Sequence, residues 1–253
     1  MNYALVGCGR MGSAVDEQAR RRGHTRVASI DLASRGRLSE ASVDRASLGG
    51  AEVAFEFTTA EAAEANLLAL VGAGIPVVCG TTGWRPTSAL GQAIERSGVG
   101  VVLAPNFSVG VDLFFRIVRE AAERIARLGL HRPFVFEMHH AGKRDAPSGT
   151  ARHLAALLRE VDPGLRTVVE GNPDGALPAG ALHVASLRAG HEPGTHTVGF
   201  DGEYDRITLT HSATGRAGFA LGAVLAAEWI VGRRGLHRFG DVVDALLEEG
   251  RLA

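Results

Sequence analysis

The sequence predicts an α/β protein with a Rossmann-like nucleotide-binding domain and a second α+β domain whose sheet is mixed or antiparallel. A glycine fingerprint separates the first strand from the first helix, strand-like and helix-like segments then alternate, and further strand-like segments fill residues 134–212. Alternating units form parallel sheets, whereas runs of strands form a separate sheet domain. We expect a dinucleotide-binding domain at residues 1–109 and 217–253, and a substrate-binding domain at residues 110–216.

The chain begins with a strand at residues 3–6, a glycine-rich turn, and a helix at residues 13–22. In a Gly-x-Gly-x-x-Gly turn, the first glycine permits the turn, the second admits a pyrophosphate, and the third lets the helix pack closely. The helix N-terminus then faces the anion. The alternative is a purely structural turn. The predicted nucleotide contacts are Gly7, Cys8, Gly9, Arg10, Met11 and Gly12.

A second predicted strand at residues 26–30 ends at Asp31. This position is about 20 residues beyond the fingerprint, where the fold places the acid that binds the adenosine ribose. Asp31 would repel a 2′-phosphate and favours NADH, yet Arg10, Arg35 and Arg37 are near enough in sequence to compensate. The cofactor is therefore expected to be NADH or NADPH.

Between Asp31 and Glu52 the chain is short and polar, with too little periodicity to predict a full crossover helix. Further alternating strands and helices are predicted after it. Strands are predicted at residues 53–57, 76–79 and 99–104, and helices at 60–71 and 86–97. In an open parallel sheet, the loops after the strands form the ligand crevice. The predicted nucleotide contacts on these loops are Gly80, Thr81, Thr82, Ala104, Pro105, Asn106 and Phe107.

The second domain is predicted to begin with a helix at residues 113–128. The predicted strands that follow are residues 134–138, 166–169, 182–187, 195–200 and 204–212, with an extended loop at 171–180 and final helices at 216–232 and 241–249. His196 and His211 lie on predicted strands, and we interpret both as structural.

Residues 137–151 concentrate proton-transfer groups. We expect the preceding strand to end between Phe136 and Met138, so that His139, His140 and Lys143 lie on a strand-to-helix loop. Histidine titrates near neutrality, and Lys143, the only lysine, is a cation that can release its proton, unlike arginine. Adjacent side chains of an extended segment point to opposite faces, so the histidine pair is a poor metal chelate and no metal is expected.

The same segment ends in a helix-start signal. Backbone N–H groups of Gly149 and Thr150 at a helix N-terminus form a natural site for a carboxylate. Ser148 is a further candidate for this site, or it caps the helix. Asp145 either holds the loop or contacts substrate.

Composition excludes several functional classes. The net charge of −1 and the absence of a basic run longer than residues 20–22 argue against nucleic-acid and membrane-surface binders. Cys8 and Cys79 form no Cys-x-x-Cys pair, and no signal-peptide pattern opens the chain, so we expect a cytoplasmic protein. The apolar stretch at 217–232 is too short for a membrane span. A small-molecule substrate is expected.

The motifs at residues 7–12, 80–83, 104–110 and 137–151 together resemble those of the 4-hydroxy-tetrahydrodipicolinate reductase (dihydrodipicolinate reductase) family of lysine and diaminopimelate synthesis. The resemblance extends through residues 188–198 to the terminal helix. Small departures at Asp112, Ala141, Gly142 and Arg144 affect peripheral contacts.

The resemblance implies that a nicotinamide hydride reduces a cyclic unsaturated dicarboxylate to tetrahydrodipicolinate. His139 matches the family's proton donor and acceptor, Lys143 its proton donor, and His140, Gly149 and Thr150 its substrate contacts. A homotetramer assembled through the sheet of the second domain is implied as well.

Two alternatives remain at this point. One is another two-domain nicotinamide-dependent dehydrogenase, which would need no anion site beside Lys143. The other is a non-catalytic NAD(H)-sensing regulator, against which the dense proton-transfer segment argues.

Overall fold

The structure, a computed structural model, describes residues 1–31 and 48–250. Arg35, Arg37 and most of the polar stretch without a predicted crossover helix lie outside the described residues. The described strands are β1 (Asn2–Val6), β2 (Thr25–Ile30), β3 (Val53–Glu56), β4 (Val77–Cys79), β5 (Gly100–Leu103), β6 (His131–His139), β7 (Thr167–Glu170), β8 (Ala181–Arg188), β9 (Thr195–Gly202), β10 (Arg206–Ser212) and β11 (Gly235–Arg238). The described helices are α1 (Arg10–Arg21), α2 (Ala60–Gly72), α3 (Ser88–Ser97), α4 (Val109–Leu128), α5 (Gly149–Val161), α6 (Ala217–Ile230) and α7 (Phe239–Glu249).

The chain divides into two compact units, Met1–Val109 with Arg216–Ala253, and Gly110–Gly215. The first unit contains a six-stranded sheet in the order β11-β5-β4-β3-β1-β2, and every neighbouring pair is parallel. This arrangement confirms the predicted Rossmann-like sheet. Strand β11 was not predicted, because four residues on a sheet edge carry too little periodicity to distinguish a strand from a turn.

The central strands of the first unit are buried on both faces. Every residue of β3 and β4 is buried, as expected for parallel strands covered by helices on each side. Helix α6 packs on this sheet, and a Cβ on Gly222 would lie 1.7 Å from the carbonyl oxygen of Phe107. Glycine therefore allows α6 to approach the backbone of the predicted nucleotide loop. Within the described residues, no helix is long and apolar enough to cross a membrane.

The second unit contains a five-stranded mixed sheet in the order β10-β9-β6-β8-β7. Strand β6 pairs antiparallel with β9 and parallel with β8. Apolar side chains of α4 and α5, including Phe114, Val118, Leu154 and Leu158, form one core with Val198 of the sheet. The prediction of a second α+β domain with a mixed sheet is confirmed.

The predicted strand ends between Phe136 and Met138, and the resulting placement of His139 on a loop is wrong. Strand β6 continues to His139, pairing Met138 with Thr195 of β9 and His139 with Arg188 of β8. The polar side chains do not end the strand because the backbone remains paired on both sides. His139 therefore lies on a rigid central strand, and the loop begins after it.

Candidate active site

The glycine fingerprint forms the turn between β1 and α1, and its three glycines have different surroundings. Gly7 has φ +94°, and a Cβ there would lie 2.2 Å from the carbonyl oxygen of Phe57. A Cβ on Gly12 would lie 2.0 Å from the carbonyl oxygen of Gly7. Gly9 is exposed, and nothing lies within 4 Å of a Cβ built on it. Positions 7 and 12 thus require glycine for folding, whereas the open space at Gly9 fits a pyrophosphate at the N-terminus of α1.

The remaining fingerprint residues surround this turn. Arg10 is exposed, while Met11 and Cys8 are half-buried. The Sγ atom of Cys8 lies 3.0 Å from Oγ of Ser29 on β2. Asp31 directly follows β2, which pairs in parallel with β1. Because neighbouring parallel strands end at the same sheet edge, the structure brings Asp31 to the edge that carries the fingerprint.

A buried carboxylate organises the next two loops, and sequence reasoning missed it. Glu56, at the end of β3, accepts hydrogen bonds from Nδ2 of Asn66 at 3.1 Å, from Sγ of Cys79 at 3.1 Å and from the hydroxyl of Thr58. The backbone N–H of Thr58 donates to Oγ1 of Thr81 at 2.8 Å. Burial, reinforced by the charge of Glu56, raises the pKa of Cys79, so this thiol remains a hydrogen-bond donor. The network ties the loop after β3 to the loop after β4.

The loop after β4 approaches aromatic and polar groups closely. A Cβ on Gly80 would lie 2.1 Å from the ring of Phe57, so glycine is required by packing. The indole N–H of Trp84 donates to the carbonyl oxygen of Thr81 at 2.9 Å. Thr81 is half-buried and Thr82 is exposed, so the hydroxyl of Thr82 is the freer of the two to meet a ligand.

The third loop, which follows β5, presents backbone and amide groups to a ligand, whereas its aromatic ring is buried. Phe107 is 2% exposed, and its ring packs against those of Phe57 and Phe239 at centroid distances of 6.1 and 5.2 Å. The side chain of Asn106 accepts a hydrogen bond from the backbone N–H of Ser108 at 2.7 Å. Phe107 is thus a core residue that anchors the loop. Ala104 is buried, Asn106 is half-buried and Pro105 is exposed.

In the second unit, β6 carries a second buried carboxylate, which was also missed. Glu137 is fully buried, and its Oε1 accepts hydrogen bonds from the backbone N–H of Ser148 at 2.9 Å, Oγ of Ser186 at 2.7 Å and Nη2 of Arg188 at 2.8 Å. Burial alone would raise the pKa of Glu137. The nearby imidazole of His196 and the hydrogen bonds from Ser148 and Arg188 outweigh burial and lower the pKa of Glu137 well below its usual range. Glu137 is therefore an anion at neutral pH.

His139 lies on the same face of β6 as this carboxylate. Its Nδ1 is 3.2 Å from Oε2 of Glu137, and its ring meets that of His196 edge-on at a centroid distance of 5.0 Å. A Cβ on Gly194 would lie 2.9 Å from Nε2 of His139, so the absence of a side chain keeps space beside that nitrogen. Burial lowers the pKa of His139 to about 4, although Glu137 opposes the shift. The imidazole is therefore neutral at pH 7.

Lys143 lies on the loop after β6 and is three-quarters buried. Its Nζ donates to Oδ1 of Asp145 at 2.7 Å, and its backbone N–H donates to the carbonyl oxygen of His140. Burial acts to raise the pKa of Asp145, but the hydrogen bond and charge of Lys143 lower it overall. Nη2 of Arg188 also donates to the carbonyl oxygen of Asp145 at 2.6 Å. The structure thus gives Asp145 a loop-holding role.

Helix α5 begins immediately after this loop. Oγ of Ser148 accepts from the backbone N–H of Ala151 at 3.2 Å and lies 3.1 Å from Nε2 of His196. The hydroxyl of Ser148 therefore caps the helix and is engaged within the protein. Gly149 is exposed and Thr150 is half-buried in the first helical turn, where backbone N–H groups point outwards. These two residues remain the candidates for binding a carboxylate.

The histidines of this unit separate into different environments. His139 is buried and His140 is half-buried, as the alternation along an extended segment predicts. The ring of His211 lies 5.9 Å from that of Phe114, and burial lowers its pKa, which fits a structural role. His196, which we interpret from the sequence as structural, lies beside Ser148 and Glu137 and so borders the candidate site. Glu137, which sequence reasoning missed, could have been found from the two-residue period of a strand, which places its side chain on the same face as His139.

Ligating atoms of Glu137, His139 and His196 lie within 4.8 Å of one another, a spacing that a metal ion could use. However, the guanidinium of Arg188 already neutralises the carboxylate at 2.8 Å. A divalent cation would face this positive charge at short range. The donor set fits an ion-pair network better than a metal centre.

Comparisons with protein families cover almost the whole chain. Residues 1–107 match the model described as dihydrodipicolinate reductase, N-terminus, and residues 110–243 match dihydrodipicolinate reductase, C-terminus. Each of the two matches therefore falls largely within one of the two structural units.

Individual relatives agree with these matches. A 4-hydroxy-tetrahydrodipicolinate reductase from Christiangramia forsetii is 34% identical over 252 residues, covering 98% of this chain and 100% of the relative. One from Myxococcus xanthus is 42% identical over 197 residues, covering 76% of this chain and 72% of the relative. The solved dipicolinate-bound dihydrodipicolinate reductase from Paenisporosarcina sp. TG-14 superposes with a TM-score of 0.74 at 23% identity, covering 94% of this chain and 97% of that one. The structural likeness shows a shared fold.

Proposed function

Because the chain belongs to the dihydrodipicolinate reductase family, we propose that it reduces 4-hydroxy-tetrahydrodipicolinate to tetrahydrodipicolinate with NADH or NADPH. Family membership makes it an NAD(P)H-dependent oxidoreductase of lysine and diaminopimelate biosynthesis that acts on a small molecule. Neither another two-domain dehydrogenase nor a nucleotide-sensing regulator agrees with the families matched by both halves of the chain. The unpaired Cys8 and Cys79 suit a cytoplasmic enzyme.

The observation that carries the proposal is the cluster around His139 and Lys143. It combines the neutral imidazole of His139 on a central strand, the ammonium group of Lys143 on the following loop, and the N-terminus of helix α5 at Gly149. A cyclic dicarboxylate needs anion-binding groups and a proton donor together. The related solved structure is described as bound to dipicolinate, a ring of this kind.

The first unit supports nucleotide binding. The open space at Gly9 beside the N-terminus of α1 fits a pyrophosphate, and Asp31 lies at the sheet edge where a ribose hydroxyl would be bound. The loops carrying Thr82 and Asn106 complete this edge, and Glu56 holds the first of them in place through Thr81. When bound, the nicotinamide cofactor supplies the hydride.

Removal of the 4-hydroxyl group from the substrate consumes one hydride and one proton and releases water. Negative charge that develops on the ring after hydride addition needs a cation and a proton source, and the ammonium of Lys143 provides both. Neutral His139 can accept or return a proton through the nitrogen that faces away from Glu137. Backbone N–H groups of Gly149 and Thr150, with the side chain of His140, bind and orient a ring carboxylate.

We further propose a homotetramer assembled through the mixed sheet of the second unit. Helices α4 and α5 cover the face of the sheet that carries Val135 and Val198. The opposite face carries apolar side chains that are half-buried or exposed, namely Phe134, Phe136, Met138 and Leu187. Exposed apolar side chains on a sheet are typical of subunit interfaces. Light scattering of the purified protein tests the assembly, and a monomeric mass would contradict it.

The activity is tested with substrate generated in place by the preceding synthase. Oxidation of NADH and of NADPH is followed in separate reactions, each with a control lacking the synthase. We expect oxidation of at least one cofactor only when the substrate is formed. No oxidation of either cofactor would refute the proposed function.

A further inference from the structure

Four buried polar atoms around Glu137 lack hydrogen-bond partners within the described residues. They are Oε2 of Glu137, Nδ1 of His139, Nδ1 of His196 and Nε of Arg188. The side chains of Glu137, His139 and His196 are more than nine-tenths buried. Leaving such atoms unpaired destabilises a fold, so their retention in one place calls for a functional reason.

The two oxygens of Glu137 have different surroundings. Oε1 is held by Ser148, Ser186 and Arg188, which fixes the carboxylate in place. Oε2 faces the imidazoles and lies 3.2 Å from Nδ1 of His139 and 3.5 Å from Nε2 of His196. A small rotation of the His139 ring converts the shorter contact into a hydrogen bond. The carboxylate is therefore a rigid acceptor directed at one nitrogen of His139.

We propose that Glu137 is a positioning residue of the reduction, which holds the proton of neutral His139 on Nδ1 and leaves Nε2 to exchange protons with substrate. The inference rests on the proposed function. Hydrolases use the same arrangement, in which a buried carboxylate fixes the tautomer and orientation of a catalytic imidazole.

The surroundings of Nε2 agree with this assignment. Gly194 lies against this nitrogen, and a Cβ at that position would come within 2.9 Å of it. The backbone there has φ +148°, a conformation that side chains rarely adopt. Glycine thus keeps open the nitrogen that the proposal makes reactive, while the opposite nitrogen faces Glu137.

Charged and titratable groups around His139 come from three strands and one loop. Glu137 lies on the same strand, His196 on β9, Arg188 on β8 and Lys143 on the loop. Among these four, only the carboxylate favours the protonated imidazole, whereas the other three and burial oppose it. Neutralising Glu137 should therefore move the titration of His139 to lower pH.

The first test uses the unmodified protein. Nitrogen-15 NMR of the histidine rings at neutral pH reports which nitrogen of each imidazole carries the proton. We expect neutral His139 with its proton on Nδ1. A proton on Nε2 would overturn the proposal, and this measurement depends on neither turnover nor a variant that folds.

The second test is Glu137→Gln, with Glu160→Gln as the matched control, because Glu160 is an exposed carboxylate of the same unit. In Glu137→Gln we expect kcat to fall by between about 10-fold and 10⁴-fold, the upper value being the loss when a hydrolase histidine takes the wrong tautomer. KM for the nicotinamide cofactor should stay unchanged, and the His139 ring titration should move to lower pH. An unchanged His139 titration in Glu137→Gln contradicts the proposal, because loss of a merely structural residue would lower activity without changing that titration.

A double-mutant cycle with His139→Gln completes the design. If Glu137 acts through His139, adding Glu137→Gln to His139→Gln should cost little further turnover. If the losses of kcat in the two single variants multiply in the double variant, Glu137 does not act through His139 and the positioning role is rejected. An active wild-type enzyme with these results would reject only this inference, whereas an inactive wild-type enzyme would reject the proposed function.

Discussion

Nη2 of Arg188 lies 2.8 Å from Oε1 of Glu137, and the same nitrogen donates to the carbonyl oxygen of Asp145. One guanidinium therefore joins the strand that carries His139 to the loop that carries Lys143. The two groups proposed to move protons are thus each one contact away from this side chain, His139 through Glu137 and Lys143 through Asp145. The relationship links the stability of the second unit to the geometry of its site.

Arg188→Ala should destabilise the protein strongly, because it leaves the buried carboxylate of Glu137 without its cation. Breaking a buried ion pair by removing one partner costs about 3–5 kcal/mol of unfolding free energy. Arg119→Ala is the matched control, since its partner Glu160 is exposed and such pairs contribute about 0–1 kcal/mol. Denaturant unfolding measures both variants. Equal stability of the two would show that the buried pair is not needed.

Stability should fall as the pH drops from about 6.5, the ordinary pKa of histidine. Burial lowers the folded-state pKa of His139 to about 4, so between these values the unfolded chain binds the additional proton. His153 and His211, whose pKa values burial also lowers, act in the same direction. His139→Gln should flatten the dependence of unfolding free energy on pH in this window. An unchanged slope in the variant would contradict the lowered pKa.

The glycine fingerprint predicts that folding and nucleotide binding can be separated. Gly12→Ala should destabilise the protein by about 1–3 kcal/mol, because the new Cβ overlaps the backbone of Gly7. Gly9→Ala should fold normally, yet bind NAD(P)H more weakly, since the methyl group enters the proposed pyrophosphate space. Gly91→Ala in α3, where a Cβ meets nothing, is the control for both properties. Calorimetric titration measures the nucleotide affinity of each variant. A normal affinity in Gly9→Ala would exclude a pyrophosphate site at Gly9.

Asp31→Ala should weaken NADH binding by about 10-fold or more, the usual loss for a hydrogen bond to a charged group. Binding of NADPH should suffer less, because the substitution also removes repulsion of the 2′-phosphate. The dissociation constants of both cofactors, measured on the same preparation, give the ratio. Equal losses for NADH and NADPH would argue against a ribose contact.

The features that sequence reasoning predicted well depend on short-range patterns. The fingerprint turn, the position of Asp31 directly after β2 and the helix cap at Ser148 each follow from residue types at fixed local spacing. The alternation of elements likewise indicated a parallel sheet followed by a mixed one, and both are present.

The features that it missed depend on distant pairing. Arg188 and Glu137 are separated by 51 residues, and only the parallel register of β6 and β8 brings them together. Glu56 was overlooked because a carboxylate at the end of an apolar strand usually marks the start of a loop. Its buried partners, Asn66 and Cys79, come from the following helix and strand. Buried polar networks of this kind need the fold before they can be identified.

The turnover number of Lys143→Arg decides whether Lys143 supplies the proton of the reduction. Arginine keeps the positive charge but holds its proton too tightly to donate it. We expect kcat with in situ generated substrate to fall by about 10²- to 10⁴-fold, while NAD(P)H affinity stays normal and the neighbouring Arg144→Lys control stays active. Near-normal turnover of Lys143→Arg would show that Lys143 is not the proton donor.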